Sequence, residues 1–409
     1  MKKKYRIILY TSIFLLCVVA SIILVVKKSN SVYEEESKPK VVKHKSMLSM
    51  NLEQTAGAGD YKTVTQSKWP TEGYKFNAEL SRCENGSTLS WDDTKKAVIV
   101  SGNLSDKCYV YFDIYQPTLA EYIKSQYTGT QGDNSLYYHD SNLTNGAGDN
   151  SYRYAGANPN NFVCFGSDAS PCPTDNLYRI IGVFGENYHG VTGKQLVKLI
   201  KYDYMTTDEL GTDGDYSQTY KEWGMDSTYK GTYGDGERIG VYYWNYKATG
   251  SATNTWSTSL LNKTNLNTNF INNIGSTWAN KIAITTWKVG GNTWANIGTK
   301  TSSVAYTNEI TNPVTTNTTD NATTYSAKIG LMYVSDYGFA ASPDAWTLTM
   351  SSYNNTTATN NNWMYMGLYE WTVSRLADYS DIAFSVDNDG DVFSGNVEQR
   401  LWRAGVLQS

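Results

Sequence analysis

The stretches Leu177-Tyr-Arg-Ile-Ile-Gly-Val-Phe184 and Gln195-Leu-Val-Lys-Leu-Ile-Lys201 decide the fold of the C-terminal part of this sequence. Each is a short run rich in aliphatic and aromatic residues, and a loop rich in Gly and His separates them. Short apolar runs bounded by turn-forming residues are typical of buried β-strands. We therefore predict that the two runs form a hairpin in a core sheet.

Toward the C-terminus, apolar residues recur at helical spacing in Trp256-Ser-Thr-Ser-Leu-Leu-Asn, in Leu266-Asn-Thr-Asn-Phe270 and on to Ile282. This spacing predicts one or two helices packed on the sheet. Residues 292–362 are dense in Asn and Thr, which predicts long surface loops around a buried strand, Ile329-Gly-Leu-Met-Tyr-Val334. Residues 151–409 are therefore expected to form one large α+β domain.

Toward the N-terminus, the sequence predicts a small β module over residues 67–115. Its β-like runs are Gly73-Tyr-Lys-Phe76, Ala97-Val-Ile-Val100 and Cys108-Tyr-Val-Tyr-Phe112, separated by turn residues. Residues 116–150 follow as a short helix, with Pro117 near its start, and a connector rich in Gly, Asn and Asp.

The beginning of the chain has the features of a membrane anchor. Residues 1–6 carry four basic side chains, and Ile7 to Val26 is an almost unbroken apolar run of the length that a helix needs to cross a bilayer. The positive charge before this run predicts a cytoplasmic tail, a transmembrane helix over 7–26 and an extracellular remainder. Residues 27–66 lack apolar periodicity and are interpreted as a solvated stalk. A cleaved signal peptide is the alternative.

Charge and composition exclude several classes of partner and chemistry. The chain has 35 Lys and Arg against 39 Asp and Glu, a net charge of −4 and only 3 His. Phosphate backbones require a basic field, so nucleic acid is not an expected partner. Because the histidines lie far apart in the sequence, a histidine-rich metal site is not expected either.

Four of the five cysteines follow the predicted anchor: Cys83, Cys108, Cys164 and Cys172. An even number of cysteines in an extracellular segment indicates disulfides, and four cysteines allow three pairings. Pairing between sequence neighbours, Cys83 with Cys108 and Cys164 with Cys172, closes short loops and is the one we favour. Zinc is the alternative, but neither pair has zinc-ligand spacing and no His accompanies them.

A succession of short motifs characterises the large domain. The motifs are Ser151-Tyr-Arg-Tyr-Ala-Gly156, Cys164-Phe-Gly, Cys172-Pro, Leu177-Tyr-Arg-Ile-Ile-Gly-Val-Phe184, Trp256-Ser-Thr-Ser-Leu, Leu266-Asn, Leu331-Met-Tyr-Val-Ser-Asp336 and Glu370-Trp-Thr-Val-Ser374. This succession resembles an uncharacterised extracellular domain family of Firmicutes and related bacteria. That family is similar to the C-type-lectin-like fold of formylglycine-generating enzymes and of hypervariable binding proteins. The resemblance implies a small twisted sheet, long loops and a ligand-facing surface near the C-terminal third, and no established activity.

The last residues depart from that resemblance. Such families usually close with a strand like Tyr-Gly-Val-Arg-Pro-Val-Phe-Tyr, whereas this chain ends Asn396-Val-Glu-Gln-Arg-Leu-Trp-Arg-Ala-Gly-Val-Leu-Gln-Ser409. Back-translation with permitted codons and removal of one base after Val397 restores most of the expected ending. We therefore expect a shifted reading frame after Val397 and no native closing strand in the residues that follow.

Catalytic and metal motifs are weak. His139-Asp140 could be a base with its orienting carboxylate, but no nucleophile motif accompanies it, and we interpret His139 as a surface loop residue. An oxidase of the formylglycine-generating type would need reactive cysteines, and those of the large domain are the expected pair. Asp387, Asp389 and Asp391 imitate a calcium loop but lack its glycine position, so a hairpin turn is the simpler interpretation and calcium the alternative.

Aromatic residues are the remaining functional signal, with 33 Tyr and 12 Trp against 10 Phe. Tyr and Trp present an apolar face with a polar handle and suit recognition of glycans or proteins. The expected ligand-binding residues are Trp363, Tyr365, Tyr369 and Arg375. The sequence thus favours a membrane-anchored extracellular ligand-binding protein of adhesin or lectin type, with no catalysis assigned. A cell-envelope enzyme and a structural envelope protein are the alternatives.

Overall fold

The computed structural model describes only part of the chain. The described residues are 48–65, 68–70, 72–203, 205, 207–211, 242–245, 252–293, 299–313, 322–353, 361–365, 370–386, 392–396, 400–401 and 406–408. The predicted tail (1–6), transmembrane helix (7–26) and first part of the stalk (27–47) lie outside them. None of the helices within the described ranges combines the length and the apolarity needed to cross a membrane.

The chain divides into two compact units, Met1–Gln116 and Pro117–Ser409. The strands described in the first unit are β1 (Leu48–Glu53), β2 (Tyr61–Val64), β3 (Tyr74–Phe76), β4 (Arg82–Cys83), β5 (Thr88–Asp92), β6 (Ala97–Ser101) and β7 (Cys108–Ile114). Strands β2, β1, β7 and β3 form a sheet in this order, β4 also pairs with β7, and β5 and β6 form a separate hairpin. The β-like runs predicted at residues 73–76, 97–100 and 108–112 coincide with β3, β6 and β7.

Alternation of side chains along the central strands builds the core of the first unit. Val110 and Phe112 of β7 and Met50 and Leu52 of β1 are buried on one face, where they pack together. Strands β1 and β7 run parallel, with Met50 opposite Val110 and Leu52 opposite Phe112. Residues two apart in a strand share a face, so these four side chains form a continuous apolar layer.

The predicted stalk over residues 27–66 is wrong from Leu48 onward. Leu48-Ser-Met-Asn-Leu-Glu53 alternates apolar and polar residues, which is the pattern of a half-buried strand, and it occupies the sheet as β1. Strand β2 pairs with it in antiparallel fashion, from Met50 opposite Val64 to Glu53 opposite Tyr61. Residues 48–53 and 61–64 of the segment that was expected to be a spacer therefore belong to the sheet of the first unit.

The second unit is mixed α and β. Its described strands are β8 (Leu136–His139), β9 (Ser151–Tyr154), β10 (Phe162–Cys164), β11 (Leu177–Phe184), β12 (Leu196–Lys201), β13 (Tyr242–Tyr243), β14 (Thr285–Lys288), β15 (Thr324–Ala327), β16 (Ile329–Gly330), β17 (Glu370–Arg375), β18 (Ile382–Val386), β19 (Val392–Asn396), β20 (Arg400–Leu401) and β21 (Val406–Gln408). Seven of them form the main sheet, in the order β16, β21, β12, β11, β9 and β8, with β10 also paired to β11.

Short helices surround this sheet. The α- and π-helical segments described are α1 (Leu119–Ser125), α2 (Glu186–His189), α3 (Thr207–Leu210), α4 (Leu261–Phe270), α5 (Ile271–Asn273), α6 (Ser276–Ala279), α7 (Ser302–Tyr306), α8 (Thr307–Thr311) and α9 (Val334–Ala340). Single 3-10 turns occupy Asp133–Ser135, Thr174–Asn176, Trp256–Thr258, Pro343–Thr347 and Met350–Ser352. Helices α4 to α6 confirm the helices predicted between residues 256 and 282.

The predicted central hairpin is confirmed. Strands β11 and β12 pair in antiparallel fashion, with Ile180 opposite Leu199 and Val183 opposite Val197. Strand β9 lies on the other side of β11, where Gly182 is opposite Arg153. A Cβ on Gly182 would lie only 2.1 Å from the carbonyl oxygen of Tyr152, so this close strand contact requires glycine.

Helix α1 is also confirmed, but the connector after it is not a simple linker. Thr118 and Glu121 form a capping box at the start of α1. Within the predicted connector, Leu136–His139 forms strand β8 and pairs with β9 from Leu136 opposite Tyr154 to His139 opposite Ser151. The second unit thus begins at Pro117 and includes the segment that was expected to precede it.

Two short strands near the C-terminus, β16 and β21, lie at one side of the main sheet. Of the predicted strand at 329–334, only Ile329–Gly330 is a strand. Helix α9 begins at Val334, the last residue of the predicted strand. Val406–Gln408 pairs with both β12 and β16, with Leu407 opposite Leu199 and opposite Ile329. A strand is therefore present after Val397, and the shifted reading frame stays a prediction.

Candidate functional site

Two of the predicted ligand-binding residues, Trp363 and Arg375, lie in the interior. Trp363 is only 3% exposed, and its Nε1 donates a hydrogen bond of 2.7 Å to the carbonyl oxygen of Tyr154. Arg375 is 1% exposed and donates from Nη2 to the carbonyl oxygen of Ala322 at 2.8 Å. Because side chains closed to solvent cannot contact a ligand outside the protein, Trp363 and Arg375 are structural residues.

The remaining predicted site residues have different outcomes. Tyr365 is half-buried against the core of the second unit, whereas Tyr369 lies outside the described residues. Asp387, Asp389 and Asp391 lie outside them as well, although the flanking strands β18 and β19 form the predicted hairpin, with Val386 opposite Val392. No group of three or more potential metal-ligating side chains occurs in the described part of the chain.

Both predicted disulfides are confirmed. Cys83 pairs with Cys108, joining β4 to β7 in the first unit, and Cys164 pairs with Cys172 in the second. Their Cα atoms lie 4.0 and 5.7 Å apart, so each bridge closes between positions that the backbone already brings together. The paired cysteines leave no zinc-binding thiolates among the described residues.

A cluster of three tyrosines lies on the edge of the main sheet, and we call Tyr127, Tyr138 and Tyr152 the tyrosine face. Tyr138 and Tyr152 are cross-strand partners on β8 and β9, and their rings stack with centroids 4.6 Å apart. The ring of Tyr127, beyond the end of α1, lies 5.9 Å from that of Tyr138 and 5.6 Å from that of Tyr152. All three side chains are half-buried, so part of each remains accessible to solvent.

Polar side chains surround the tyrosine face. Lys124 of α1 places its ammonium group 5.8 Å from the centroid of the Tyr152 ring and donates to Oε1 of Gln195 at 2.8 Å. The Tyr138 hydroxyl donates to Oδ1 of Asn150 at 3.1 Å. Gln131 exchanges two hydrogen bonds of 2.8 Å with the backbone of Tyr138, which occupies the hydrogen-bonding groups of an edge strand. Burial raises the pKa of Tyr152.

A second cluster lies in the interior of the same unit, and we call Lys198, Asp336, Arg153, Asp149 and Glu309 the buried charge cluster. Nζ of Lys198 lies 2.6 Å from Oδ2 of Asp336, and both side chains are 0% exposed. Nη2 of Arg153 lies 2.8 Å from Oδ2 of Asp149. Charged groups rarely enter a protein core unless they are paired, which is the arrangement found in both ion pairs.

Aromatic rings enclose both cations. Nζ of Lys198 lies 4.1 Å from the ring centroid of Tyr333, and the rings of Tyr188 and Trp287 lie 4.9 and 5.2 Å away. The guanidinium of Arg153 lies within 6 Å of four ring centroids, those of Phe184, Tyr306, Phe339 and Tyr188, the last of which also contacts Lys198. Ring faces stabilise the cations electrostatically and exclude water from them.

Burial changes the acid–base behaviour of the cluster. It lowers the pKa of Lys198 to about 8, although neighbouring Asp336 acts in the opposite direction. It raises the pKa of Glu309 to about 7, against hydrogen bonds to that carboxylate from Ser374 and Ser335. For Asp149, burial acts to raise the pKa, but Arg153 and the Ser151 hydroxyl outweigh it and the pKa is lowered.

His139 borders the buried charge cluster and is not the surface residue that we expected. Its ring is 0% exposed, with centroids 5.0 Å from Phe339 and 5.1 Å from Trp346. Nδ1 accepts a hydrogen bond from the backbone N–H of Ala147 at 3.1 Å. Burial lowers its pKa to about 3, and the neighbouring positive charge of Arg153 contributes in the same direction.

The buried charge cluster was not predicted, although one signal was present. Lys198 interrupts an apolar run in β12 and Arg153 lies in the short β9, and charged residues at such positions need a buried partner. Asp336, which pairs with Lys198, comes from a distant segment, helix α9, and Glu309 comes from α8. Since Lys198, Asp336 and Arg153 have almost no exposed surface, their chemistry is with one another and not with a diffusing substrate.

The tyrosine face and the buried charge cluster belong to the same mixed α and β unit, on and beneath its main sheet. In comparisons with known proteins, no family model, no curated protein and no solved structure matches the chain.

Proposed function

We propose that this protein is a membrane-anchored, extracellular binding protein that holds a glycan on the tyrosine face. The observation that carries the proposal is the stacked pair Tyr138 and Tyr152, at 4.6 Å, with Tyr127 beside it. Sugars offer apolar C–H faces together with hydroxyl groups, and tyrosine offers an apolar ring together with a hydroxyl.

The surroundings of the tyrosine face favour a polar ligand over an apolar one. Gln195 and Asn150 provide amide groups next to the rings, and Lys124 adds a cation. Binding sites combine aromatic surface with a few placed polar groups, which fix the orientation of the ligand. The face is backed by a hydrogen-bonded sheet, so its rings are held in place before a ligand arrives.

Two further observations support an extracellular location. The basic residues before Ile7 and the apolar run to Val26 favour an anchor with the remainder of the chain outside. The two disulfides are typical of an oxidising compartment. We include in this proposal the resemblance of residues 151–409 to C-type-lectin-like domains, because that resemblance also implies a ligand-facing surface.

Binding of immobilised glycans tests this function. The full chain, inserted in lipid nanodiscs, is applied to an array of bacterial-wall fragments and host-type oligosaccharides. For a glycan that binds, we expect the double variant Tyr138→Ala and Tyr152→Ala to lose about tenfold or more in affinity, equivalent to about 1.4 kcal/mol.

A matched control separates loss of the tyrosine face from a general loss of aromatic surface. Phe162 on β10 is 43% exposed in the same unit, and its variant Phe162→Ala should bind like the unchanged protein. The proposal fails if the array gives no glycan ligand, if a protein partner binds instead, or if the double variant and the control bind equally well.

A further inference from the structure

Lys198 and Asp336 meet in a closed part of the core, far apart in sequence. Lys198 belongs to β12 and Asp336 to α9, 138 residues later. Nζ of Lys198 lies 2.6 Å from Oδ2 of Asp336, and neither side chain has exposed surface. This hydrogen-bonded contact holds the amine next to the carboxyl group, so a reaction between them needs no slow encounter between two molecules.

We infer that Lys198 and Asp336 become joined by an intramolecular isopeptide bond, an amide between Nζ of Lys198 and Cγ of Asp336. The inference is independent of the proposed glycan binding, since it depends on a different part of the unit. It assigns a covalent modification to two residues that otherwise form a buried ion pair.

Amide formation requires the uncharged forms of the two groups, and burial opposes charge at Lys198, lowering its pKa to about 8. A protonated lysine has no lone pair with which to attack, and a carboxylate is a poor electrophile. Moving one proton from Nζ to the carboxyl group gives a neutral amine and a neutral acid, which a water-free site stabilises relative to two charges. The rings of Tyr333, Tyr188 and Trp287 around Nζ provide such a site.

Tyr188 is placed to carry the protons. Its hydroxyl accepts a hydrogen bond from Nζ of Lys198 at 2.6 Å and donates to the carboxyl oxygens of Asp336 at 2.8 and 3.0 Å. A proton can therefore pass from the nitrogen to a carboxyl oxygen through this hydroxyl. Because Tyr188 touches both reacting groups, we assign it as the catalytic residue of the reaction.

The reaction balances without any added reagent. The lone pair of Nζ attacks Cγ and forms the C–N bond, while the C=O electrons move to oxygen. The second proton of the nitrogen then passes to the carboxyl hydroxyl, the C–O bond breaks and one water leaves. No atom is oxidised or reduced, and the products are one amide and one water.

Donors lie beside both oxygens of the Asp336 carboxyl group. The backbone N–H of Tyr333 donates to Oδ2 of Asp336 at 3.1 Å. Nη1 of Arg153 lies 3.5 Å from Oδ1 and has no hydrogen-bond partner among the described residues. Of the two carboxyl oxygens, Oδ1 is therefore assigned as the one that gains charge in the tetrahedral intermediate, beside the Arg153 guanidinium, and Oδ2 as the one that leaves as water.

Charge balance in the core is kept by the reaction. Condensation removes one positive and one negative charge, and the pair of Arg153 with Asp149 at 2.8 Å remains. Since buried ion pairs often contribute little because of their desolvation penalty, the uncharged amide removes a cost of folding. It also joins β12 to α9 across the core.

A second lysine on the same strand provides an internal control. Lys201 of β12 is also buried and pairs with Glu209, whose side chain is 20% exposed. Water that reaches this carboxylate stabilises its charged form, so we expect no amide there. The two lysines thus differ in the environment of the partner and not in the strand that holds them.

Intact-mass measurement of the full chain tests the inference directly. The purified protein is denatured, and all cysteines are reduced and alkylated before the measurement. We expect a mass lower by one water than the mass of the alkylated sequence. After trypsin digestion, we expect a branched peptide that contains both Lys198 and Asp336, since an acylated lysine is not cleaved.

Four variants test which residues form the amide bond and which residue catalyses its formation. Lys198→Met should have the full sequence mass, whereas Lys201→Met should retain the loss of water. Asp336→Asn should lose ammonia instead and reach the same final mass as the unchanged chain. Tyr188→Phe should form the bond more slowly. An unchanged chain with its full sequence mass overturns the inference, and so does a water loss that maps to Lys201 or yields no branched peptide.

Discussion

His139 lies in the core of the second unit without exposed surface, and the only hydrogen bond described for its imidazole ring comes from the backbone N–H of Ala147. Burial lowers its pKa to about 3, far below the ordinary value of 6.5. The ring therefore stays neutral at physiological pH in the folded protein. A histidine that does not change charge cannot serve as a general base exchanging protons with solvent, so the base-and-carboxylate interpretation of His139-Asp140 is not supported by its surroundings.

The pH dependence of the free energy of unfolding should reflect the lowered pKa of His139. Between pH 6.5 and about 3 the unfolded chain binds a proton at His139 and the folded chain does not, so the free energy of unfolding falls as the pH falls. In His139→Asn, whose amide oxygen can still accept from Ala147, this contribution disappears. Urea titrations in this acid range should show a decline shallower by up to about 1.4 kcal/mol per pH unit in the variant. Parallel curves for the two proteins would contradict the assigned pKa of His139.

At the level of elements, the contact of β9 with β11 positions both clusters. Tyr152 of β9 contributes to the tyrosine face and its neighbour Arg153 to the buried charge cluster, because successive side chains point to opposite faces of a strand. The contact depends on Gly182, where an added Cβ would lie 2.1 Å from the carbonyl oxygen of Tyr152.

Replacement of this glycine should therefore separate the strands. We expect Gly182→Ala to reduce the free energy of unfolding by about 3 kcal/mol, the upper part of the range for overpacking, and to weaken binding on the tyrosine face. Gly185, just beyond the end of the same strand, is the matched control, since nothing lies within 4 Å of an added Cβ and its φ is −93°. Chemical denaturation compares the two variants, and equal stabilities would refute the role of the close contact.

The elements also show what the sequence could and could not predict. The hairpin of β11 and β12 was predictable because its strands are long, apolar and bounded by turn residues. Strand β8 was missed because only Leu136-Tyr-Tyr-His139 separates two Gly- and Asn-rich segments, and its strand character depends on pairing with β9. Trp363 was assigned to a surface because aromatic residues among Asn and Thr fit a binding loop equally well, and only its 3% exposure distinguishes the cases.

Neither cluster was predictable as a cluster. The tyrosine face combines residues from the end of α1, from β8 and from β9, and the buried charge cluster combines residues more than 100 positions apart, such as Lys198 and Asp336. Local periodicity predicts elements, but contacts between distant segments depend on the order of strands in the sheet. The cysteines were the exception, because sequence neighbours with short loops between them leave one simplest pairing.

On the scale of the whole molecule, the proposed glycan binding requires one orientation of the chain in the membrane. Both disulfide-bonded units, and the tyrosine face of the second, must lie on the outer side of the membrane that holds residues 7–26. A glycan outside the cell is accessible only from that side, and the disulfides persist there. The proposed function therefore depends on the orientation of the chain in the membrane.

Labelling of engineered cysteines in intact cells measures this orientation directly. In a chain with Cys17→Ala, one cysteine is placed by Leu104→Cys, at a position in the first unit that is 81% exposed. In a second chain it is placed by Lys3→Cys, in the predicted cytoplasmic tail. With a thiol reagent that cannot cross membranes, the proposed orientation predicts labelling at position 104 in intact cells and at position 3 only after permeabilisation. Labelling at position 104 that appears only after permeabilisation would contradict it.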